Sequence, residues 1–195
     1  RRLRMKVLWL SIYFAVLAWS ALRPADYFTW FLEVVPALVG LVILAATYKS
    51  FKLTELAYAL ILVHCVILMV GGHYTYAKVP LFDWLRDYFG MERNNYDKVG
   101  HFAQGFVPAI IAREILVRKK IVNGRTWLGF LVVCFCLAFS AFYELVEWWV
   151  AISTGESADA FLGTQGYQWD TQSDMALALT GAISARIFRG RFHYL

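Results

Sequence analysis

The chain has 195 residues, of which 60% are hydrophobic and only 17% are charged, and its mean hydropathy is +0.53. A soluble domain carries about 25% charged residues, so lipid is the expected solvent for much of this surface. The formal net charge of +5 comes from short basic runs between apolar segments. This placement is typical of membrane topology signals and argues against nucleic acid as a partner.

Six apolar segments predict an all-α fold, with residues 1–195 forming a single integral membrane domain of about six transmembrane helices. Most of them approach the roughly 20 residues that cross a bilayer core. In chain order the segments are Val7–Leu22, Phe28–Tyr48, Thr54–Gly72, Val99–Val117, Leu128–Ala151 and Thr171–Phe188. The first is short, and its basic start also resembles a secretory signal, but we expect an uncleaved anchor.

The distribution of Lys and Arg in the short loops predicts the orientation of the spans. Basic residues occupy four alternating segments, namely both termini and the loops after the second and fourth spans. They are Arg1, Arg2, Arg4 and Lys6; Lys49 and Lys52; Arg118, Lys119, Lys120 and Arg125; and Arg186, Arg189 and Arg191. The loop Ile152–Asp170 has no Lys or Arg. We therefore predict that both termini are cytoplasmic.

The segment Leu81–Phe89, between the third and fourth spans, has apolar residues at helical spacing. Leu81, Trp84 and Tyr88 share one side, and charged residues such as Asp83 occupy the other. This pattern indicates a short amphipathic helix at the outer interface. An ordered loop is the alternative interpretation.

Polar residues gather at the outer ends of the last three predicted spans. They are Asp97, His101 and Gln104 in span four; Ser140, Glu144 and Glu147 in span five; and Asp170 and Asp174 at the start of span six. The i, i+4, i+7 spacing places the members of each triplet on one helical face. A charged side chain costs roughly 2.5–3.5 kcal/mol at the centre of a bilayer. We therefore expect these groups to face one another in a hydrated pocket in the outer leaflet, with His73 as a further lining residue.

The pocket residues suit more than one chemistry. His101, Glu144 and Asp174 are candidate ligands of a divalent metal, because carboxylates suit Mg, Mn or Ca and imidazole permits Zn. His101 beside Asp97 is a candidate general base, and Glu144 beside Glu147 is a candidate acid. The alternative is a structural network of hydrogen bonds and ion pairs between helices.

Three stretches of the chain resemble the YjdF inner membrane protein family of bacteria. They are Gly72–Ala77, Arg93–Phe102 and Phe161–Met175. The resemblance extends over nearly the whole chain and implies a multi-pass protein of the bacterial inner membrane. It implies no activity, since the family is of undefined biochemical function.

A looser pattern is similar to the VanZ-like membrane proteins, which are linked to glycopeptide-antibiotic tolerance. Asp-Lys followed by His-Phe, a later Glu and an Asp opening the last span correspond to Asp97-Lys98, His101-Phe102, Glu144 and Asp174. The chain departs from that pattern after Glu144, where the Gln and Arg are not evident. It departs again at Ala178, where the pattern has Asn.

Together these features predict an inner membrane protein whose outward-facing pocket binds or modifies a lipid or a lipid-linked envelope substrate. Hydrolysis or group transfer is expected over redox chemistry, because the sequence has no haem pair, cofactor fingerprint or thiol couple. A transporter or channel is a rival, although its charges are expected near the midplane of a repeated architecture. A non-catalytic scaffold with a structural polar cluster is the other rival.

Overall fold

The computed structural model describes residues 2–155 and 159–191, which form helices and no strand. The helices are α1 (Arg2–Ala21), α2 (Tyr27–Thr47), α3 (Glu55–Tyr74), α4 (Pro80–Phe89), α5 (Tyr96–Arg118), α6 (Arg125–Thr154), α7 (Asp159–Leu162) and α8 (Asp170–Arg191). The predicted all-α fold is confirmed. Arg1, which contributed to the topology prediction, lies outside the described residues, as do the side chains of Arg2, Arg189 and Arg191.

Four of the described helices are long and apolar enough to cross a membrane. They are Leu3–Ala21, Tyr27–Thr47, Glu55–Tyr74 and Arg125–Thr154, and they correspond to predicted spans one, two, three and five. Predicted spans four and six coincide with α5 and α8, which have 23 and 22 residues. At about 1.5 Å rise per residue both are long enough for a hydrocarbon core of about 30 Å. They are more polar than the other four, and the count of six spans stays a prediction.

Contacts along the chain define two compact units. The first contains Arg1–Gly100 and Ala151–Gln165, and the second contains His101–Val150 and Gly166–Leu195. The prediction of a single membrane domain stays a prediction.

In the first unit, aromatic side chains from α1 attach that helix to α2 and α3. The Tyr13 side chain is fully buried, and its hydroxyl donates to the Ala37 carbonyl at 2.9 Å. The Trp9 indole N–H donates to the Tyr58 carbonyl at 2.7 Å. Lipid cannot hydrogen-bond the Tyr13 hydroxyl or the Trp9 indole N–H, so these two bonds favour a single packing arrangement of α1 against α2 and α3.

Side-chain caps begin two helices of the first unit. Asp26 precedes α2, and its Oδ2 accepts a bond from the Thr29 N–H at 2.6 Å. Thr54 caps α3 in the same way through the Ala57 N–H, at 3.3 Å. The backbone N–H of Thr29 favours the ionised carboxylate, so the pKa of Asp26 is lowered from its ordinary value of 3.8.

The amphipathic segment forms the helix α4, in place of the ordered loop that was its alternative. Pro80 opens the helix, and Gly90 ends it with a φ of 63°. Phe82 packs edge-on against Tyr96 with ring centroids 5.2 Å apart, whereas Leu81, Trp84 and Tyr88 are exposed. The position of α4 at the outer interface stays a prediction.

In the second unit, α5 and α8 approach each other at their backbones. A methyl group added at Gly105 would overlap the backbone carbonyl of Ala178, and one at Gly181 would overlap that of Phe102. Small residues permit this kind of close helix contact in membranes. The two glycines therefore fix the separation of the helices that carry His101 and Asp174.

We predict that Gly105→Ala destabilises the protein, whereas Gly40→Ala does not. The new methyl at position 105 meets backbone that cannot move aside, and overpacking of this kind costs about 1–3 kcal/mol. Gly40 lies in α2 with nothing within 4 Å of the added methyl, so alanine there gains helix propensity. Thermal unfolding of the purified variants in detergent measures the difference, and equal stability of the two variants would contradict the close contact.

We predict that Asp26→Ala lowers the free energy of unfolding by about 0.5–2 kcal/mol at neutral pH, because it removes the cap of α2. The lowered pKa of Asp26 adds stability that is complete above the ordinary pKa of 3.8 and is lost as pH falls through the folded-state value. Asp26→Asn is the control, because asparagine caps without ionising. The stability gap between wild type and Asp26→Asn should therefore shrink on acidification from pH 7 to about pH 3, and a constant gap would contradict the assignment.

Candidate functional site

The His101 imidazole lies at the centre of a buried polar cluster in the second unit. Its Nδ1 is 3.2 Å from the Gln104 Oε1 and 3.9 Å from the Glu144 Oε1. Its Nε2 is 3.6 Å from the Asp174 Oδ2. His101, Glu144 and Asp174 are each less than 10% exposed. The structure thus joins residues that the sequence placed on three separate helices.

The local structure of each helix explains this meeting. Glu144 and Glu147 lie one turn apart on α6 and face the same direction. Asp174 follows the first turn of α8, which the glycine contacts hold against α5. His101 lies in the second turn of α5. The predicted pocket residues His101, Gln104, Glu144 and Asp174 are therefore within reach of one another.

His101, Glu144 and Glu147 have the geometry of a metal-ligand set. One donor atom from each lies within 4.8 Å of the other two. Oxygen and imidazole ligands bind at about 2.0–2.2 Å from a tetrahedral zinc ion, so two donors of one ion are about 3.3–3.6 Å apart. A small inward movement of the side chains would bring them to binding distance.

Asp174 faces the opposite ring nitrogen from Glu144. In metal sites the second nitrogen of a ligating histidine donates to a carboxylate or carbonyl, which fixes the ring orientation and raises the basicity of the ligand. The Asp174 Oδ2 lies on the side that such a partner occupies, although at 3.6 Å it is slightly beyond hydrogen-bond distance of Nε2. The predicted ligand set of His101, Glu144 and Asp174 stays a prediction. In the set that the geometry supports, Glu147 takes the third place beside His101 and Glu144.

Two further residues lie one turn before members of this cluster on the same helices. Ser140 is fully buried one turn before Glu144, and its hydroxyl has no hydrogen-bond partner within the described part of the chain. Asp170, in the first turn of α8, is 6% exposed, and the Ser173 hydroxyl donates to its backbone carbonyl at 2.8 Å. The unbonded Ser140 hydroxyl is therefore available to hydrogen-bond a water or a ligand.

Asp97 and His73, two other predicted site residues, belong to the first unit. The Asp97 Oδ2 accepts a bond from the Arg93 guanidinium at 3.1 Å. The His73 Nδ1 is 3.0 Å from the Ser20 carbonyl oxygen, and its ring stacks on Trp19 with centroids 4.5 Å apart. Asp97 as an orienting partner of His101, and His73 as a pocket residue, stay predictions.

Sequence reasoning missed a hydrogen-bond network in the first unit, which is centred on Asn94. Its backbone N–H donates to the Gln165 Oε1 at 3.0 Å, and the Gln165 amide returns a bond to the Asn94 carbonyl at 2.9 Å. The Asn94 side chain is fully buried and donates to Val79 and Asp83. Arg93 donates to the Gly163 carbonyl at 3.4 Å. The segment 163–165 is therefore fastened to the residues just before α5.

Comparison with known proteins identifies a family. A model described as "Predicted membrane protein (DUF2238)" matches residues 5–194. The chain is 53% identical over 178 residues to inner membrane protein YjdF of Escherichia coli strain K12, with 91% of this chain and 85% of that protein covered. No solved structure matches. The resemblance to the YjdF family and the inner membrane location are confirmed, and the chain belongs to the DUF2238 family of predicted membrane proteins.

Proposed function

We propose that this inner membrane protein binds a divalent cation in a periplasm-facing pocket around His101 and hydrolyses or transfers a group on a lipid or lipid-linked envelope substrate. The observation that carries the proposal is the geometry around the buried imidazole. One donor atom from each of His101, Glu144 and Glu147 lies within 4.8 Å of the other two, and Asp174 faces the other ring nitrogen. Six spans with both termini in the cytoplasm belong to the same proposal, because that topology places the pocket on the periplasmic side.

The charge of the cluster supports a cation. Three carboxylates surround one imidazole where the chain is apolar, and each unneutralised charge is costly there. A divalent ion held by His101, Glu144 and Glu147 offsets two of those charges. One histidine with two carboxylates is a ligand set that zinc and manganese accept.

The chemistry available to such a site is hydrolysis or group transfer. A bound divalent ion supplies Lewis acidity and lowers the pKa of a coordinated water. Asp174 orients the imidazole through Nε2, and the Ser140 hydroxyl is available to hydrogen-bond a water or a substrate oxygen. Activity in that arrangement depends on the separation of α5 and α8, which Gly105 sets.

The depth of the cluster supports a substrate at headgroup level. His101 lies five residues into α5, and Asp174 lies four residues into α8. At about 1.5 Å per residue these are rises of roughly 6–8 Å from the helix ends. A pocket at that depth faces the boundary between headgroups and acyl chains, where an amphipathic substrate presents its polar part. The looser VanZ-like pattern includes the same His101, Glu144 and Asp174.

A structural cluster that holds α5, α6 and α8 together is the second candidate. The contacts of His101 with Glu144 and Asp174 favour it, because they would connect α5 to α6 and α8 without any ligand. A transporter is less well supported, since His101 and Asp174 lie within two turns of the starts of their helices and the sequence has no repeat.

We predict that the purified wild-type protein contains a stoichiometric divalent metal and that His101→Ala and Glu144→Gln lose it. Each variant removes one donor of the set, and loss of a ligand weakens affinity far more than the roughly 10–100-fold expected for an outer-sphere partner such as Asp174. Elemental analysis after chelator-free purification measures the content.

His64→Ala is the matched control, because His64 lies in α3 of the first unit. It should keep the metal. A wild-type protein free of metal under these conditions, with His101→Ala unfolding at lower temperature, would contradict the metal site and support the structural cluster.

We predict that a cysteine at Tyr167 is accessible from the periplasm and that one at Asn123 is not. The proposed topology puts the loop before α8 outside and the loop before α6 inside. Both variants are made in a background that lacks Cys65, Cys134 and Cys136. A membrane-impermeant maleimide applied to intact spheroplasts should label only Tyr167→Cys, and Asn123→Cys should react after lysis. The reverse labelling would place the pocket in the cytoplasm and contradict the periplasmic substrate.

A further inference from the structure

A cavity lined in part by arginines lies in the second unit. It has a volume of about 180 Å³, and its charged lining residues are Arg113, Arg125 and Arg186. They come from the C-terminal part of α5, the first residue of α6 and the C-terminal part of α8. Arg113 follows His101 by twelve residues of one helix, or roughly 18 Å at 1.5 Å per residue. The arginine cavity is therefore separate from the His101 cluster.

A glycine makes room for one of these arginines. A Cβ atom at Gly129 would lie 2.7 Å from both the Cζ and the Nε of Arg186. The absence of a side chain on α6 at this point lets the guanidinium rest directly on the helix. Gly129 also lines the cavity, so the Arg186 guanidinium is held at its wall.

Two of the three arginines at this cavity have no carboxylate beside them among the residues that the structure describes. Within the described residues, neither Arg125 nor Arg186 lies within ion-pair distance of an Asp or Glu. The nearby buried acid on α5, Glu114, is paired with Arg118 at 2.6 Å. Three guanidinium groups around one space repel one another, and a bound anion would offset that repulsion.

The rest of the lining is apolar. Ile110, Leu128, Val132 and Ala185 contribute most of it. A single water needs roughly 10–15 Å³ of such volume, so the cavity has room for an anionic group and several waters. An arginine rim over apolar walls suits an anion that is attached to carbon chains better than a small free ion.

We propose that the arginine cavity binds a phosphate group, which is the chemistry shared by inorganic phosphate and an anionic phospholipid headgroup. The planar guanidinium presents paired N–H donors that match two phosphate oxygens, and this geometry makes arginine a preferred phosphate ligand. Basic pockets between membrane helices on the cytoplasmic side bind lipid headgroups in this way. The predicted topology places the cavity on that side, where anionic headgroups are available.

The alternative is that these arginines act only as topology signals, and this alternative explains less of the structure than a binding site does. Retention of a loop in the cytoplasm requires positive charge but no particular arrangement of it. It explains neither the convergence of arginines from three helices on one cavity nor the glycine beneath Arg186. A binding site explains both.

The test titrates delipidated full-length protein in detergent with two probes, inorganic phosphate and short-chain phosphatidylglycerol, and follows the thermal unfolding temperature. The wild type should show a saturable increase with at least one probe. Arg125→Gln and Arg186→Gln should each weaken its apparent affinity about tenfold, since each loses a charge-assisted hydrogen bond. Saturation by the lipid alone assigns a headgroup as the ligand, and saturation by both probes assigns phosphate itself.

Two further variants separate a built site from general charge attraction. Lys120→Gln removes a positive charge from the same end of α5 without touching the cavity and should bind as the wild type does. Gly129→Ala keeps every charge but displaces the Arg186 guanidinium, so it should weaken binding. This variant replaces a glutamine variant in the test if that variant does not fold. The proposal is overturned if neither probe saturates the wild type, if Lys120→Gln loses as much affinity as Arg186→Gln, or if all folded cavity variants bind normally.

Discussion

Lipid cannot hydrogen-bond a polar side chain, so a charged group within an apolar helix must find its partner on another helix or in a ligand. The His101 cluster follows from this constraint. Its carboxylates come from α6, which is apolar enough to cross a membrane, and from the more polar α8, and Glu144 and Asp174 face opposite nitrogens of the imidazole. The close approach of α5 and α8 at Gly105 and Gly181 makes this possible, because a larger residue at either position would separate the helices that carry His101 and Asp174.

The two ends of the second unit present opposite electrostatic problems on the same helices. At the start of α5 one histidine is surrounded by carboxylates, and near its end three arginines surround a cavity. Each place brings side chains of like charge close to one another. A cation at the first and an anion at the second would each lower the free energy of the folded protein, so ligand binding and stability are coupled at both ends.

Sequence patterns predicted the helices well, because the length of an apolar stretch is a local property of the chain. They also predicted the face shared by Glu144 and Glu147 and the contact of His101 with its neighbours on α6 and α8. They did not predict which carboxylate faces which ring nitrogen, since that depends on the distances between helices. The Asn94–Gln165 pair and the arginine cavity were missed because their members are far apart in sequence, and residues such as Arg113 and Arg186 look locally like ordinary helix-end charges.

The Asn94–Gln165 amide pair joins residues that are 71 positions apart and closes the first unit with a segment made much later than the rest. Residues up to Gly100 leave the ribosome well before Gln165 does. The 65 residues between these points take roughly 3–13 s to synthesise at about 5–20 residues per second. During that interval the backbone N–H and carbonyl of Asn94 lack the Gln165 side chain that hydrogen-bonds both of them. The first unit, although it begins at the N-terminus, is therefore completed only after most of the second has been synthesised, and its α4–α5 junction lacks this partner until then.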